Sequence, residues 1–184
     1  MLGEKMKTWI TSDLHFGHER IIKFCPKTRG HYIDVNHMNQ DMILQWNNKV
    51  SKNDITYLVG DISYLSNKKS VEVLTSLNGE KILIEGNHDQ KLLKDPAFRN
   101  CFVEIHKYLE ITYDNTFIVM CHYPIFDHNR ASYGSIMLHG HRHGNPHSIP
   151  GRIMDVGFDA TGNIVTDLDE VIKKLQSIPY MHHH

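Results

Sequence analysis

Five short clusters in this chain carry residues that can do metal chemistry. Asp13-Leu14-His15 places a carboxylate and an imidazole two residues apart; Gly60-Asp61, Gly86-Asn87-His88-Asp89, Cys121-His122 and Gly140-His141-Arg142-His143 add a second carboxylate, an amide oxygen and more imidazoles. Alternation along an extended chain points Asp13 and His15 the same way. A carboxylate beside an imidazole makes half a metal site. The candidate ligands Asp13, His15, Asp61, Asn87, His122, His141 and His143 offer only oxygen and imidazole nitrogen. That set suits Mn²⁺, Fe²⁺, Zn²⁺ or Mg²⁺ and not a thiolate zinc site. Seven donors are too many for one ion that keeps an open position. They suit two ions sharing a bridging carboxylate, a pair that can clamp a phosphoryl group and bring a water's pKa from ~15.7 towards ~7.

Each cluster alone also reads as an ordinary turn. Their weight comes from the elements that carry them, because every one follows an apolar run. Lys7 to Thr11 has strand composition and leads into Ser12–His18. Glu19 to Phe24 reads as a first helix ended by Pro26, and residues 27–33 as a loop. Asp34 can cap a helix running to about Val50, with Met38, Met42, Ile43 and Trp46 as its core face. Ile55 to Val59 is a strand delivering Gly60-Asp61, Lys68 to Leu77 a helix, Asn78-Gly79 a turn, and Lys81 to Glu85 a buried strand before Gly86. Gln90 to Leu93 reads as the start of another helix.

From Cys101 the pattern becomes strand-rich. Phe102–Tyr113 and Thr116–Met120 read as strands joined at an Asp114-Asn115 hairpin turn, the second stopped by Pro124 just past His122. Residues 126–135 form a polar loop. Ile136 to Leu138 is a strand opening on His139–His143, Arg152 to Val156 another strand, Thr161-Gly162-Asn163 a turn, and Asp167 to Leu175 a last helix. The alternation predicts an α/β protein with parallel pairing in a first sheet and a second, more antiparallel sheet. In such sheets ligands bind at the carboxyl ends of the strands.

With 184 residues and a net charge of −1, the chain has room for one well-packed core and no broadly basic face for nucleic acid or a membrane surface. No apolar run approaches the ~18 residues of a membrane span, and Met1–Lys5 lacks the apolar core of a signal peptide. Cys25, Cys101 and Cys121 are odd in number and form no CxxC pair, which fits a cytoplasmic protein with thiols buried as small apolar groups. Of 15 histidines, His182, His183 and His184 follow Met181 at the very end and read as the remnant of an expression tag, so residues 181–184 are set apart from a single domain over 1–180.

Asp13-x-His15, Gly60-Asp61, Gly86-Asn87-His88-Asp89, the His122 segment and Gly140-His141-x-His143 resemble, in order, the motifs of calcineurin-like metallophosphoesterases, and they span most of the chain. Asp155–Asp159 and Leu168-Asp169-Glu170 are similar to the tail of small single-domain members. The resemblance implies a four-layer α/β/β/α sandwich of two mixed sheets flanked by helices. It also implies two divalent ions, Mn²⁺ foremost with Fe, Zn, Ni or Mg as alternatives. Asp13, His15 and His143 would hold the first ion, Asn87, His122 and His141 the second, and Asp61 would bridge them. The implied activity is phosphodiester hydrolysis by a hydroxide between the ions, on a nucleotide or nucleic-acid type of substrate. His88 would assist the leaving oxygen, and Asp89 would orient His88 or cap the following helix.

Two departures narrow the resemblance. Glu85 precedes Gly86-Asn87, and Ile62-Ser63-Tyr64 follows Gly60-Asp61, where protein serine/threonine phosphatases carry arginines. Phosphoprotein dephosphorylation is therefore disfavoured. Too few residues follow residue 160 for a capping domain, so an open site is expected. A phosphomonoesterase and a metal-binding scaffold remain the alternatives. Among the other polar residues, His18 could reach phosphate; Lys27, Arg29 and Arg130 read as solvated loop residues. Arg142 should point away from the ligands, and His139 should either support a ligand from behind or be structural. His31, His37, His106 and His147 have no expected role.

Overall fold

The computed structural model describes residues 6–146 and 148–180. The expectations for residues 1–5, for His147 and for residues 181–184 lie outside them. The first sheet has the order β4-β3-β2-β1-β9, from β1 (Thr8–Thr11), β2 (Ile55–Leu58), β3 (Glu80–Ile84), β4 (Glu104–His106) and β9 (Thr166–Asp167). Its first four strands run parallel and β9 is antiparallel to β1. The second sheet has the order β5-β6-β7-β8, from β5 (Tyr108–Tyr113), β6 (Thr116–Cys121), β7 (Ile136–His139) and β8 (Ile153–Asp155). Only β5 and β6 pair antiparallel; β7 is parallel to both its neighbours. The second sheet is thus less antiparallel than its sequence suggests, because the long segment between β7 and β8 returns the chain to the same end.

Alternation along the strands builds the core. Trp9, Leu58 and Leu83 face Met38, Met42 and Trp46 of α3 (Val35–Lys49) and Leu74 of α4 (Asn67–Ser76). Their neighbours Ile10, Val59 and Ile84 face the other way, against Ile118, Met120, Ile136 and Leu138 of the second sheet and against Val171, Ile172 and Leu175 of α7 (Leu168–Gln176). Val119, Met137 and Ile153 line the opposite face of the second sheet, where Ile125 and Ile149 pack on them. The fold is α/β, with two mixed sheets flanked by helices. α3 begins where expected, the Asp34 carboxylate accepting from the His37 amide at 2.8 Å. Among the described residues, no helix is long and apolar enough to cross a membrane.

Several boundaries differ from the sequence reading, each for a local reason. The first helix is one turn, α1 (Ile21–Phe24), and the supposed loop contains α2 (Pro26–Arg29), started by Pro26 in its first turn. After Asn87 the chain makes only a 3₁₀ turn at Leu92–Lys94, because Asp95 caps a new short helix, α5 (Pro96–Arg99). The Phe102–Tyr113 run divides between the sheets, Glu104–His106 pairing with β3 and Tyr108–Tyr113 with β6. The Asp114-Asn115 turn is as expected, with φ of 43° and 61°, the signature of a tight hairpin. A short helix, α6 (Phe158–Thr161), follows β8. Cys25, Cys101 and Cys121 are unpaired and half-buried rather than fully buried.

Candidate metal centre

The parallel register brings the clusters to one edge. Thr11 is level with Leu58, and Leu58 with Leu83, so Asp13, Asp61 and Asn87 emerge together. In the second sheet Met120 is level with Leu138, which brings out His122 and His141. A bridge between Ser12 and Gly157 ties the two edges together.

Two of the groups that this edge assembles could hold an ion, one of Asp13, His15 and His143, the other of Asp61, His122 and His141. Asp13 Oδ2 accepts from the Ser12 hydroxyl at 2.7 Å and the His141 amide at 2.9 Å. Its buried Oδ1 has no hydrogen-bond partner, and neither has either ring nitrogen of His15. His15 Nε2 and His143 Nε2 each stand 3.7 Å from that Oδ1, and His15 Nε2 is also 3.7 Å from Asp61 Oδ2. In the second group His122 Nδ1 is 2.8 Å from the Val59 carbonyl, which fixes the proton on Nδ1 and leaves Nε2 facing Asn87 Oδ1 at 3.0 Å and Asp61 Oδ2 at 3.4 Å. His141 Nδ1 is 3.2 Å from the same Asn87 oxygen. Separations of 3.4–3.7 Å between donor atoms are those of ligands each about 2.0–2.2 Å from a shared ion. Orphaned buried acceptors, lone pairs facing lone pairs and an all-oxygen-and-nitrogen donor set fit two divalent ions.

Charge within the cluster is already polarised. Burial pushes the Asp61 carboxyl up, but His122, the His88 amide and His15 outweigh it and hold Asp61 down at about 2. Burial likewise opposes ionisation of Asp13, and His15, His122 and His143 more than offset it, leaving its pKa lowered. Burial lowers His15, which is too enclosed to carry charge easily. The same burial effect on His143 is overcome by Asp159, which raises His143 to about 10.

The backbone around these ligands is unusual. Asp13, His15, Asp61, His141 and His143 all have positive φ, between 49° and 69°. Non-glycine residues rarely do so, and such strain persists only where the surroundings over-determine it. Two devices hold it. Asp89, fully buried, accepts from the amides of Asp61 at 2.9 Å, Ile62 at 2.9 Å and Gly86 at 2.8 Å, so it bolts two ligand loops together. This corrects the sequence expectation: the Asp89 carboxylate is committed to backbone, neither orienting the His88 ring nor capping a helix. Arg29, expected in a solvated loop, is fully buried on α2. It donates to the carbonyls of Asp13 at 2.7 Å and Leu14 at 2.9 Å and grips Asp159 through Nε at 2.8 Å and Nη2 at 2.9 Å. Asp159 in turn takes His143 Nδ1 at 2.8 Å, which aims Nε2 at Asp13. Cys25 Sγ lies 3.9 Å from that same Nδ1. Gly86 and Gly140 leave room: a Cβ on Gly86 would strike the Asp61 carboxylate, and one on Gly140 the Ser12 hydroxyl and Asp13 carboxylate.

His88 stands apart from the two groups. Its amide donates to Asp61 Oδ1 at 2.9 Å, while its ring, 44% exposed, has Nε2 3.9 Å from Asp61 Oδ2. The ring opens on a groove of about 510 Å³. His18 does not sit on a free surface; it stacks on Tyr64 at 4.1 Å and 14°, and burial followed by the neighbouring His15 lowers its pKa to about 4. Arg142 turns away to the Pro146 carbonyl at 2.8 Å, and His139 is buried with Nδ1 2.8 Å from the Gly140 carbonyl. Arg130 lies over Phe117, His31 against Tyr32, and His106 against Glu104. His37 contributes its amide to the α3 cap, and Lys27 is exposed on α2. Sequence reasoning missed Arg29, Asp159 and Tyr64 as parts of the site; the available signal was the Gly157-Phe158-Asp159 segment, whose resemblance was noted without a role.

The buried Arg29–Asp159 pair gives a stability prediction. Asp159 is held below the ordinary carboxylate range: burial opposes its ionisation, but His143 and Arg29 outweigh it. A depressed folded pKa contributes stability above the unfolded value of about 3.9 that is lost as pH falls towards the folded value. Asp159→Asn should destabilise the metal-free protein by ~3–5 kcal/mol at pH 7, since it strands a buried guanidinium. In urea unfolding, its gap from the parent protein should shrink as pH falls below about 4. A gap independent of pH would contradict the pairing.

Comparison with known proteins agrees with this geometry. The pattern of the calcineurin-like phosphoesterase family matches residues 6–159. The uncharacterised protein MJ1445 of Methanocaldococcus jannaschii is 35% identical over 141 residues, covering 76% of this chain and 70% of that protein. The Gene 66 protein of Mycobacterium phage L5 is 29% identical over 189 residues, covering 86% of this chain and 89% of its own length. The crystal structure of AQ665 from Aquifex aeolicus, a protein of unknown function, superimposes with a TM-score of 0.72 at 22% identity, over 92% of this chain and 100% of that one. With its motifs gathered at one sheet edge and the family pattern running through them, the chain belongs to the calcineurin-like phosphoesterases.

Proposed function

We propose that this protein is a dinuclear-metal phosphodiesterase acting on substrates of the nucleotide or nucleic-acid type. The observation that carries the reading is the pair of donor groups, Asp13-His15-His143 and Asp61-His122-His141, meeting at Asp61 Oδ2 beside the exposed ring of His88. Asp13, His15 and His143 would hold one ion, Asn87, His122 and His141 the other, and Asp61 would join both. The oxygen and nitrogen donors suit Mn²⁺. When bound, the two ions supply an activated water and neutralise the phosphoryl oxygens.

The chain's own residues do the rest. Asp89 and Arg29 keep the ligand loops rigid, so little reorganisation accompanies the reaction. The His88 ring stands at the side of the cluster that faces the groove, where it can serve as proton donor to the departing oxygen. Charge favours a diester, which has one negative charge, over a dianionic monoester. Arg29 is committed to Asp159 and to two carbonyls, and Arg142 to Pro146, so neither guanidinium is directed at a second phosphoryl charge.

With Mn²⁺ present, the protein should hydrolyse bis-p-nitrophenyl phosphate faster than p-nitrophenyl phosphate. The reverse preference would point to a monoesterase, and inactivity on both with metal bound to a scaffold. His88→Ala should keep its metal but lose ~10²–10⁴-fold in turnover of a dinucleotide, whose alkoxide needs a proton. The same variant should lose less on bis-p-nitrophenyl phosphate, because p-nitrophenolate leaves unaided. Loss of metal, or equal losses on both diesters, would remove His88 from that role.

A further inference from the structure

The groove beside His88 contains more than hydrolysis of a simple diester needs. It is lined by Asn87 and His88, by Tyr64 and Asn67, and by Lys91 and Lys94. None of its lining residues is acidic, although the whole chain has a net charge of −1. Both lysines are exposed. The groove thus presents two lysines, and it reaches the metal centre at Asn87.

Tyr64 is a fixed platform. Tyr64 is 42% exposed, yet His18 stacks on its ring at 4.1 Å, and His15 lies 5.3 Å away at 26°. The His15 and His18 centroids are only 5.4 Å apart, so both rings lie to one side of Tyr64 rather than sandwiching it. The His88 ring packs on Tyr64 as well, at 4.8 Å and 43°, and both residues line the groove. A second exposed aromatic flanks the opposite donor group: Tyr123 is 47% exposed, with its ring 4.8 Å from His141 and 5.2 Å from His122. Each donor group thus has one exposed tyrosine beside it.

Aromatic faces beside a positively charged track are what a single strand of nucleic acid requires, because every base has a stacking face and every linkage a negative charge. A cyclic mononucleotide has one base and one phosphate and would leave both lysines and one tyrosine idle. We infer that the groove is the leaving-side subsite for a single-stranded oligonucleotide, Tyr64 carrying the base next to the scissile phosphate and Lys91 and Lys94 the following phosphate, with Tyr123 stacking the base on the other side. This inference rests on the phosphodiesterase reading of the metal centre.

Two separate readouts test it. Turnover of bis-p-nitrophenyl phosphate, which has one phosphate, reports the phosphodiesterase reading alone. Fluorescence anisotropy of labelled oligothymidylates on the Mn²⁺-loaded protein, with phosphorothioate linkages to slow cleavage, reports the groove. Affinity should rise from the dinucleotide to the tetranucleotide. The double variant Lys91→Gln/Lys94→Gln should abolish that rise, weaken tetranucleotide binding about tenfold at low salt, and reduce the salt slope of log K by about 1.4, two lysines at about 0.7 each. Tyr64→Leu should weaken binding about tenfold with the salt slope unchanged. Equal affinity at all lengths, or an unchanged slope in the lysine variant, would overturn the groove assignment while leaving bis-p-nitrophenyl phosphate turnover intact. Length-dependent, lysine-dependent binding without any diester turnover would support the groove as a nucleic-acid site and remove the phosphodiesterase reading instead.

Discussion

The structure depends on an electrostatic constraint at the carboxyl edge of its sheets. Asp13 and Asp61 are both nearly inaccessible to water, and Asp13 Oδ1 is given no hydrogen-bond donor by the protein. A buried carboxylate left without compensation costs several kcal/mol. The surrounding imidazoles supply part of the compensation: against the opposing effect of burial, Asp61 and Asp13 raise His122, and Asp13 adds to the Asp159 contact that raises His143. His15 cannot contribute in that way, since its own burial works against charge. The site is built to receive positive charge that it does not itself carry, and divalent ions meet that need directly.

The rest of the architecture keeps this arrangement from relaxing. Left alone, the five candidate ligands with positive φ would find easier backbone conformations. Asp89 prevents this on the β2–β3 side by satisfying three amides with one carboxylate. Arg29 does so on the β1 side, joining the carbonyls of the Asp13 turn to Asp159 and through it to His143. Residues from the first and last thirds of the chain thereby converge on one ligand. The parallel register of β1, β2 and β3 supplies the coarse alignment, and these buried polar contacts supply the fine one.

Much of this was legible in the sequence because it was local. β1, β2, β3, β6 and β7 are short apolar runs, and each delivers its polar cluster within two or three residues, so candidate ligands could be read off strand ends. α3 was legible through Asp34 and the spacing of Met38, Met42 and Trp46. What escaped was non-local. Nothing near Arg29 says that its guanidinium will be buried against a carboxylate 130 residues later. Nothing in Gly86-Asn87-His88-Asp89 says that Asp89 turns back to the amides of the Asp61 loop rather than outward to His88. Tyr64 escaped because its stacking on His18 forms only after two separate loops fold together. Short elements such as α2, α6 and β9 escaped because they have too few residues to show a period.

The most direct test of the account is the number of ions the chain holds. After loading with Mn²⁺ and removal of free metal, elemental analysis should find two ions for each chain, because Asp61 Oδ2 stands between His15 of one donor group and His122 of the other. A single ion for each chain, or none, would contradict the shared-carboxylate centre on which the account is built.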